Sequence, residues 1–122
     1  MTKEEYLDFC ANIGGADVDQ PFDKDFESSV ARHSDSKKWF AVILKFKEQW
    51  VVNLKIDPME AELLRKIYKG VIPAYHMNKV HWISVILDSD VPREEIERLT
   101  MVSFEITDKR KKIPKNSRKK AD

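Results

Sequence analysis

The chain of 122 residues is 42% hydrophobic and 10% aromatic, which suffices for one domain with its own core. Its single cysteine excludes an internal disulfide, and a content of only 3 Gly and 5 Pro excludes a collagen-like chain. No apolar run approaches the ~20 residues needed to cross a bilayer, and the acidic start lacks the positive charge of a signal peptide. We therefore expect a cytoplasmic protein without membrane contacts, and a monomer.

The formal net charge of +1 conceals a strong asymmetry along the chain. Residues 1–108 hold 14 Lys and Arg against 20 Asp and Glu, whereas residues 109–122, the basic tail, hold eight against one. Within the first part, residues 36–82 carry nine basic and four acidic side chains. We expect a single domain over residues 1–108 and a disordered tail, because the tail has no apolar period. A positively charged surface has to come from residues 36–82 or from the tail.

The N-terminal segment predicts a helix. Residues 3–15 place four apolar side chains at helical spacing and end with two glycines. Cys10 falls on the apolar stripe of this helix, which favours a core residue over a nucleophile. Residues 16–27 are acidic and contain Pro21 and Phe22, and we expect a loop with little regular structure there.

The next segments predict strands. Residues 28–33 are a candidate strand, and the turn-prone residues 34–36 follow. Residues 39–46 (WFAVILKF) are rich in β-branched and aromatic side chains. Residues 50–56 (WVVNLKI) alternate between two faces, which is typical of a half-buried strand. The polar break at residues 47–49 joins the last two strands in an antiparallel hairpin.

A second helix is predicted to begin at Asp57, the N-cap, because Pro58 follows it and Glu60 lies three residues later. Gly70 ends this helix. The basic side chains of this segment, Arg65, Lys66 and Lys69, are expected in solvent. The predicted core-facing stripe consists of Met59, Leu63, Leu64 and Ile67.

Residues 81–88 predict another strand, and Pro92 opens a last helix with apolar side chains at helical spacing. Strands joined by tight turns, with helices before and after them, indicate an α+β fold in which helices cover one face of an antiparallel sheet.

The segment IPAYHMNKVHW, residues 72–82, has the densest set of functional residue types. His76 and His81 are five positions apart, which fits neither a strand face nor a helical pair of metal ligands. A serine elbow and a glycine-rich phosphate loop are both missing, so we expect neither an enzyme nor a cofactor. Two interpretations of the segment stay open. Its side chains form a packed turn, or they contact phosphates and sugars of a nucleic acid.

Three motifs resemble the MmcQ/YjbR family, and the similarity extends over about residues 3–107. They are Leu54-Lys55 with Asp57-Pro58, the block PAYHMNKVHW at residues 73–82, and Ser103-Phe104-Glu105. The resemblance implies a CyaY-like (frataxin-like) two-layer sandwich, in which helices pack on one face of an antiparallel sheet. It also implies DNA binding. Through its similarity to frataxin-type proteins, it further suggests iron binding by carboxylates of the first helix, here Glu4, Glu5 and Asp8.

We therefore expect a non-enzymatic DNA-binding protein of low sequence specificity. The alternative is a protein-interaction or metal-handling module with a frataxin-like fold. Binding of a polyanion by the domain requires its lysines on one side, namely Lys37, Lys38, Lys45, Lys47, Lys55, Lys66, Lys69 and Lys79. The expected DNA-contacting residues are Lys37, Lys38, Lys55, Tyr75, His76, Asn78, Lys79, His81, Trp82, Lys109, Arg110, Lys111 and Lys112.

Overall fold

An antiparallel sheet with helices on one side organises the computed structural model, which describes residues 1–22 and 27–108. Within these residues the sheet has six strands in the order β1-β2-β3-β4-β6-β5, and all neighbouring strands are antiparallel. The predicted α+β class is thus confirmed, and the basic tail lies outside the described residues. The elements in chain order are α1 (Lys3–Ala11), β1 (Ala16–Asp19), β2 (Ser29–His33), β3 (Trp39–Phe46), β4 (Gln49–Lys55), α2 (Pro58–Ile67), β5 (Val71–Pro73), β6 (Trp82–Ile86) and α3 (Arg93–Thr107).

The helices α1, α2 and α3 cover the same face of the sheet, which we call the helix face. Tyr6 of α1, Leu64 of α2 and Leu99 of α3 are buried in one apolar cluster with side chains of the central strands, including Leu54. Cys10 is buried in this cluster, and burial raises the pKa of its thiol to about 12. The prediction of Cys10 as a core residue is confirmed.

The predicted antiparallel hairpin of β3 and β4 is confirmed. Its register runs from Ala41 opposite Leu54 to Phe46 opposite Gln49. Lys47 and Glu48 form its two-residue turn, and both have positive φ, 50° and 66°. Two consecutive left-handed residues match the twist of the flanking strands. Within residues 1–22 and 27–108, no helix is both long and apolar enough to cross a bilayer.

Two edge strands depart from the sequence prediction. Residues 16–27 were expected to form a loop, but Ala16–Asp19 is strand β1 and pairs with β2. A salt bridge between Arg32 and Asp19 joins these strands. Strand β5 was not predicted, because it has only three residues and ends with Pro73. Short strands with charge or proline are typical of sheet edges and leave little pattern in a sequence.

The predicted core-facing stripe of α2 is wrong at most of its positions. Leu64 is buried, whereas Met59, Leu63 and Ile67 are 77%, 59% and 65% exposed. The cause is the position of α2 beside the edge strand β5, against β5 and β6. A helix at the edge of a sheet buries only a narrow strip of its surface. Here that strip is formed by Ala61 and Leu64.

Strand β4 is buried on both faces, although its alternation predicted a half-buried strand. Val51 and Asn53, which point away from the helices, are at most 1% exposed. Asn53 is covered by the segment of residues 74–81, whose Tyr75 carbonyl accepts a hydrogen bond of 2.7 Å from the Asn53 side chain. We call this second face of the sheet the open face.

Candidate nucleic-acid interface

One end of the sheet, where β2 and β4 finish and β3 and β6 begin, gathers basic side chains. Lys37 and Lys38 lie in the turn between β2 and β3. Lys55 is the last residue of β4 and is paired with Trp82, the first residue of β6. Lys79 lies in the turn that leads into β6. We call the group of Lys37, Lys38, Lys55 and Lys79 the lysine end.

The other lysines of the expected set lie elsewhere. Lys45 and Lys47 are at the far end of β3, roughly 23 Å from its start at about 3.3 Å per residue. Lys45 lies 3.6 Å from a carboxylate oxygen of Glu27, and Lys66 on α2 lies 3.6 Å from Glu62. The condition for polyanion binding by the domain, that all eight lysines share one side, is therefore not met.

Helix α3 finishes at the lysine end, because polar contacts hold its last turns there. Ser103 donates a hydrogen bond of 2.6 Å to the Phe40 carbonyl and accepts one of 2.9 Å from the backbone N–H of Lys55. One turn later, Thr107 is hydrogen-bonded to the buried His33 ring at 2.9 Å. The described part of the chain therefore ends beside the lysine end. The predicted DNA contacts Lys109, Arg110, Lys111 and Lys112 of the basic tail lie outside the described residues.

The turn of residues 78–81 is built by Asn78. Its side-chain oxygen accepts hydrogen bonds from the backbone N–H groups of Val80 and His81, at 2.8 and 3.1 Å. The Asn78 carbonyl accepts a third from Trp82, at 3.0 Å. The interpretation of Asn78 as a turn residue is confirmed. The turn places His81 and Trp82 beside Lys55 at the lysine end, because the Ile56 N–H is bonded to the His81 carbonyl.

Tyr75 and His76 do not point to the lysine end, because a buried polar network fixes Tyr75 on the open face. Asn53 donates to the Tyr75 carbonyl, the Tyr75 N–H donates to Ser84 at 2.9 Å, and Ser84 donates to Asn53. The Tyr75 ring contacts the rings of Phe46 and His76, with centroids 4.4 and 3.9 Å away.

A cleft of about 360 Å³ lies on the open face in front of this network. The sequence reasoning identified Tyr75 and His76 but missed the other lining residues. The alternation of β3 could have located Leu44 on this face, but only the fold shows that none of the helices in residues 1–22 and 27–108 covers it. The main lining residues are Phe22, Trp39, Leu44, Tyr75, His76 and Met77.

Comparison with known proteins decides the family. The family model YjbR matches residues 12–106 of the chain. The chain belongs to the MmcQ/YjbR family. The resemblance recognised in the sequence is thereby confirmed.

Two relatives of this YjbR-family chain match over most of their own length. It is 30% identical to the protein YyaQ of Bacillus subtilis over 117 residues, covering 88% of this chain and 98% of YyaQ. It is 33% identical to the Escherichia coli protein YjbR over 105 residues, covering 86% of each. A Pseudomonas syringae crystal structure superposes with a TM-score of 0.81 at 33% identity, covering 88% of this chain and all of that one. A Deinococcus radiodurans crystal structure superposes with a TM-score of 0.77 at 28% identity, covering 98% of this chain and 86% of that one.

The lysine end of the YjbR-family domain is close to charge balance among the described residues. Its four lysines are accompanied by four carboxylates, among them the N-cap of α2. The Asp57 carboxylate accepts from the backbone N–H groups at the start of α2, at 3.1 and 3.4 Å. A net positive charge at this end therefore has to come from the attached tail, with its eight Lys and Arg. The carboxylates are Asp35, Asp57, Glu105 and Asp108.

The resemblance suggested the carboxylates of Glu4, Glu5 and Asp8 as iron ligands, but Glu5 makes contacts that stabilise the fold. Glu5 accepts a hydrogen bond of 2.8 Å from the Thr2 backbone and forms an ion pair with Arg93. The Thr2 N–H, more than Arg93, lowers the pKa of Glu5. Over residues 1–22 and 27–108, no group of three or more His, Cys, Asp and Glu side chains could hold a metal ion.

Proposed function

We propose that this YjbR-family protein is a non-enzymatic, DNA-binding protein of low sequence specificity. The lysine end and the basic tail would bind the phosphate backbone together. The observation that carries the proposal is the path of α3, which contacts Lys55 at Ser103 and ends beside His33 at Thr107, close to the turn that bears Lys37 and Lys38. The proposal joins two basic regions that are distant in the sequence, the lysine end and the tail, in one phosphate-binding surface.

Low sequence specificity follows from the kind of contact that lysines make. A lysine ammonium neutralises phosphate charge, releases counterions and reads no base edge. We also propose that the protein is a cytoplasmic monomer with a CyaY-like (frataxin-like) sandwich fold. The helices that pack on one face of the open sheet support this fold.

The proposal that the protein is not an enzyme is supported by the burial of two potentially reactive side chains, Cys10 and His33. The Cys10 thiol is buried and has a pKa of about 12, so it is not a thiolate at neutral pH. The buried His33 ring is hydrogen-bonded to Thr107 and packs against Phe40 and Phe104. Each of these groups is used by the core.

Fluorescence anisotropy with a labelled DNA duplex tests the proposal at two salt concentrations, about 50 and 200 mM. The full chain is compared with a chain lacking residues 109–122. We expect the full chain to bind. If about half of the eight basic side chains of the tail contact phosphates, the truncation should flatten the slope of log affinity against log salt by about three to four units, at about 0.9 per lost contact. The melting temperature of the truncated chain should be unchanged. Absence of binding by both chains at the lower salt concentration contradicts the proposal.

A protein-interaction role is the second candidate, and the exposed stripe of α2 favours it. Met59, Leu63 and Ile67 recur every four residues and therefore share one side of the helix. Aligned exposed apolar side chains are typical of contact surfaces. Sedimentation of the wild-type chain and of Leu63→Gln over a range of concentrations tests self-association through this stripe. A dimer that Leu63→Gln disrupts would support it, and a monomer at all concentrations would contradict it.

A further inference from the structure

The cleft on the open face has a composition that neither the lysine end nor the fold requires. Its walls are aromatic and apolar, from Trp39, Tyr75, His76, Phe22 and Met77. Aromatic side chains that remain accessible in a concave site are suited to flat, unsaturated rings. Nucleobases are ligands of this kind, because each base has a π-face that stacks without regard to sequence.

The cleft is preformed by the polar network beneath it. Asn53 and Ser84 are at most 1% exposed, and their hydrogen bonds hold both the N–H and the carbonyl of Tyr75. His76 follows with φ of 64°, in the left-handed region that non-glycine residues seldom occupy. Backbone strain of this kind is concentrated at ligand sites, where the surrounding structure maintains it. The Tyr75 backbone is thus held in place before any ligand arrives, and its ring packs against Phe46 and His76.

The cleft is continuous with the lysine end. Trp39 follows Lys37 and Lys38 directly in the sequence and begins β3. From Trp39 to Leu44, the lining extends roughly 17 Å along β3, at about 3.3 Å per residue. A strand of nucleic acid whose phosphates lie on the lysines would meet the cleft at Trp39. This juxtaposition of charge and aromatic surface argues for a nucleic acid over an uncharged ligand.

We propose that the cleft stacks unpaired bases, so that this protein binds single-stranded DNA more tightly than a duplex. The inference rests on the proposed function, since the lysine end and the tail hold the backbone while the cleft receives bases. A base inside a duplex has both faces covered by its neighbours and cannot enter the cleft without being unstacked. The ligand class is therefore an unpaired oligonucleotide.

The test separates base contacts from phosphate contacts with probes of equal length. Anisotropy of the full chain is measured with a labelled thymine oligonucleotide, an abasic oligonucleotide with the same phosphates, and a duplex. We expect the thymine strand to bind at least about tenfold tighter than the abasic strand, and also tighter than the duplex, whose bases are already stacked. Trp39→Leu should remove this difference without weakening abasic binding. Trp50→Leu is the matched control, because Trp50 lies outside the cleft beside Lys3 and Lys45.

Each result has a definite meaning. Equal affinity for the thymine and abasic strands overturns the base-stacking inference and leaves the proposed function standing. A preference for thymine that Trp39→Leu and Trp50→Leu reduce equally also overturns it. Absence of binding to all three probes overturns both.

A fluorescence measurement decides the matter if Trp39→Leu does not fold. The chain has three tryptophans, so Trp50→Phe with Trp82→Phe leaves Trp39 as the only one. Its fluorescence should be quenched by the thymine strand and not by the abasic strand. Quenching by neither strand, under conditions where both bind, contradicts the inference.

Discussion

The two faces of the sheet are formed by the same strands and differ in what covers them. On the helix face, apolar side chains such as Leu99 and Ile83 are fully buried under helices. On the open face, residues 74–81 are held over Asn53 by hydrogen bonds and leave a cleft beside them. A face closed by close apolar packing retains no accessible chemistry, whereas a face covered by a polar, fixed loop keeps aromatic rings available to a ligand.

The largest expected difference between the faces concerns stability. Leu99→Ala on the helix face should lower the free energy of unfolding by about 3 kcal/mol, because it leaves a cavity in a fully buried cluster. Leu44→Ala, the same change in the wall of the cleft, should cost about 1 kcal/mol or less, since Leu44 is only half-buried. Urea denaturation measures both. Equal costs would mean that the open face is as tightly packed as the helix face.

The next effect concerns the polar network. Asn53→Ala should cost about 2 kcal/mol, because the Tyr75 carbonyl and the Ser84 hydroxyl lose a buried partner. Asn12→Ala removes an exposed amide that is hydrogen-bonded to the Asp8 carbonyl, and should lower the free energy of unfolding by only a few tenths of a kcal/mol. Hydrogen exchange of the Tyr75 amide should also accelerate in Asn53→Ala. Unchanged exchange there would show that the network does not hold the loop.

A smaller effect is expected at α2, which attaches to the helix face through a narrow strip. Asp57→Ala should cost about 1 kcal/mol, because the first amides of α2 lose their acceptor and the helix dipole loses a nearby negative charge. Asp57→Asn keeps a side-chain oxygen that can accept from these amides, and should destabilise the protein less than Asp57→Ala. The melting temperatures of the two variants check this. Identical melting temperatures for Asp57→Ala and the wild type would show that the cap is unimportant.

The sequence predicted those elements in which a local signal agrees with the tertiary position. Strand β3 has a run of β-branched and aromatic residues, and α2 has a capping sequence at Asp57 and Pro58. The sequence failed where the tertiary position decides. Leu63 has the spacing of a core residue but is exposed, because α2 lies at the edge of the sheet and not over its centre.

The candidate site shows the same division. The family block at residues 73–82 was recognised from its residues, and its Asn78 turn follows from known turn chemistry. The separation of Lys79 from Tyr75 could not be predicted, although they are four residues apart. It depends on the contact of Tyr75 with Asn53, on a strand more than twenty residues away in the sequence.

The central claim is that the lysine end, and not the far end of the sheet, binds the phosphate backbone. Two double variants with the same loss of charge test it against the thymine oligonucleotide: Lys55→Gln with Lys79→Gln, and Lys45→Gln with Lys47→Gln at the far end of β3. We expect the first pair to flatten the slope of log affinity against log salt by roughly 1.5 units, at about 0.7 to 0.9 per contact, and the second pair to leave it unchanged. Equal slopes for the two pairs would show that position on the sheet does not matter, and would contradict the claim.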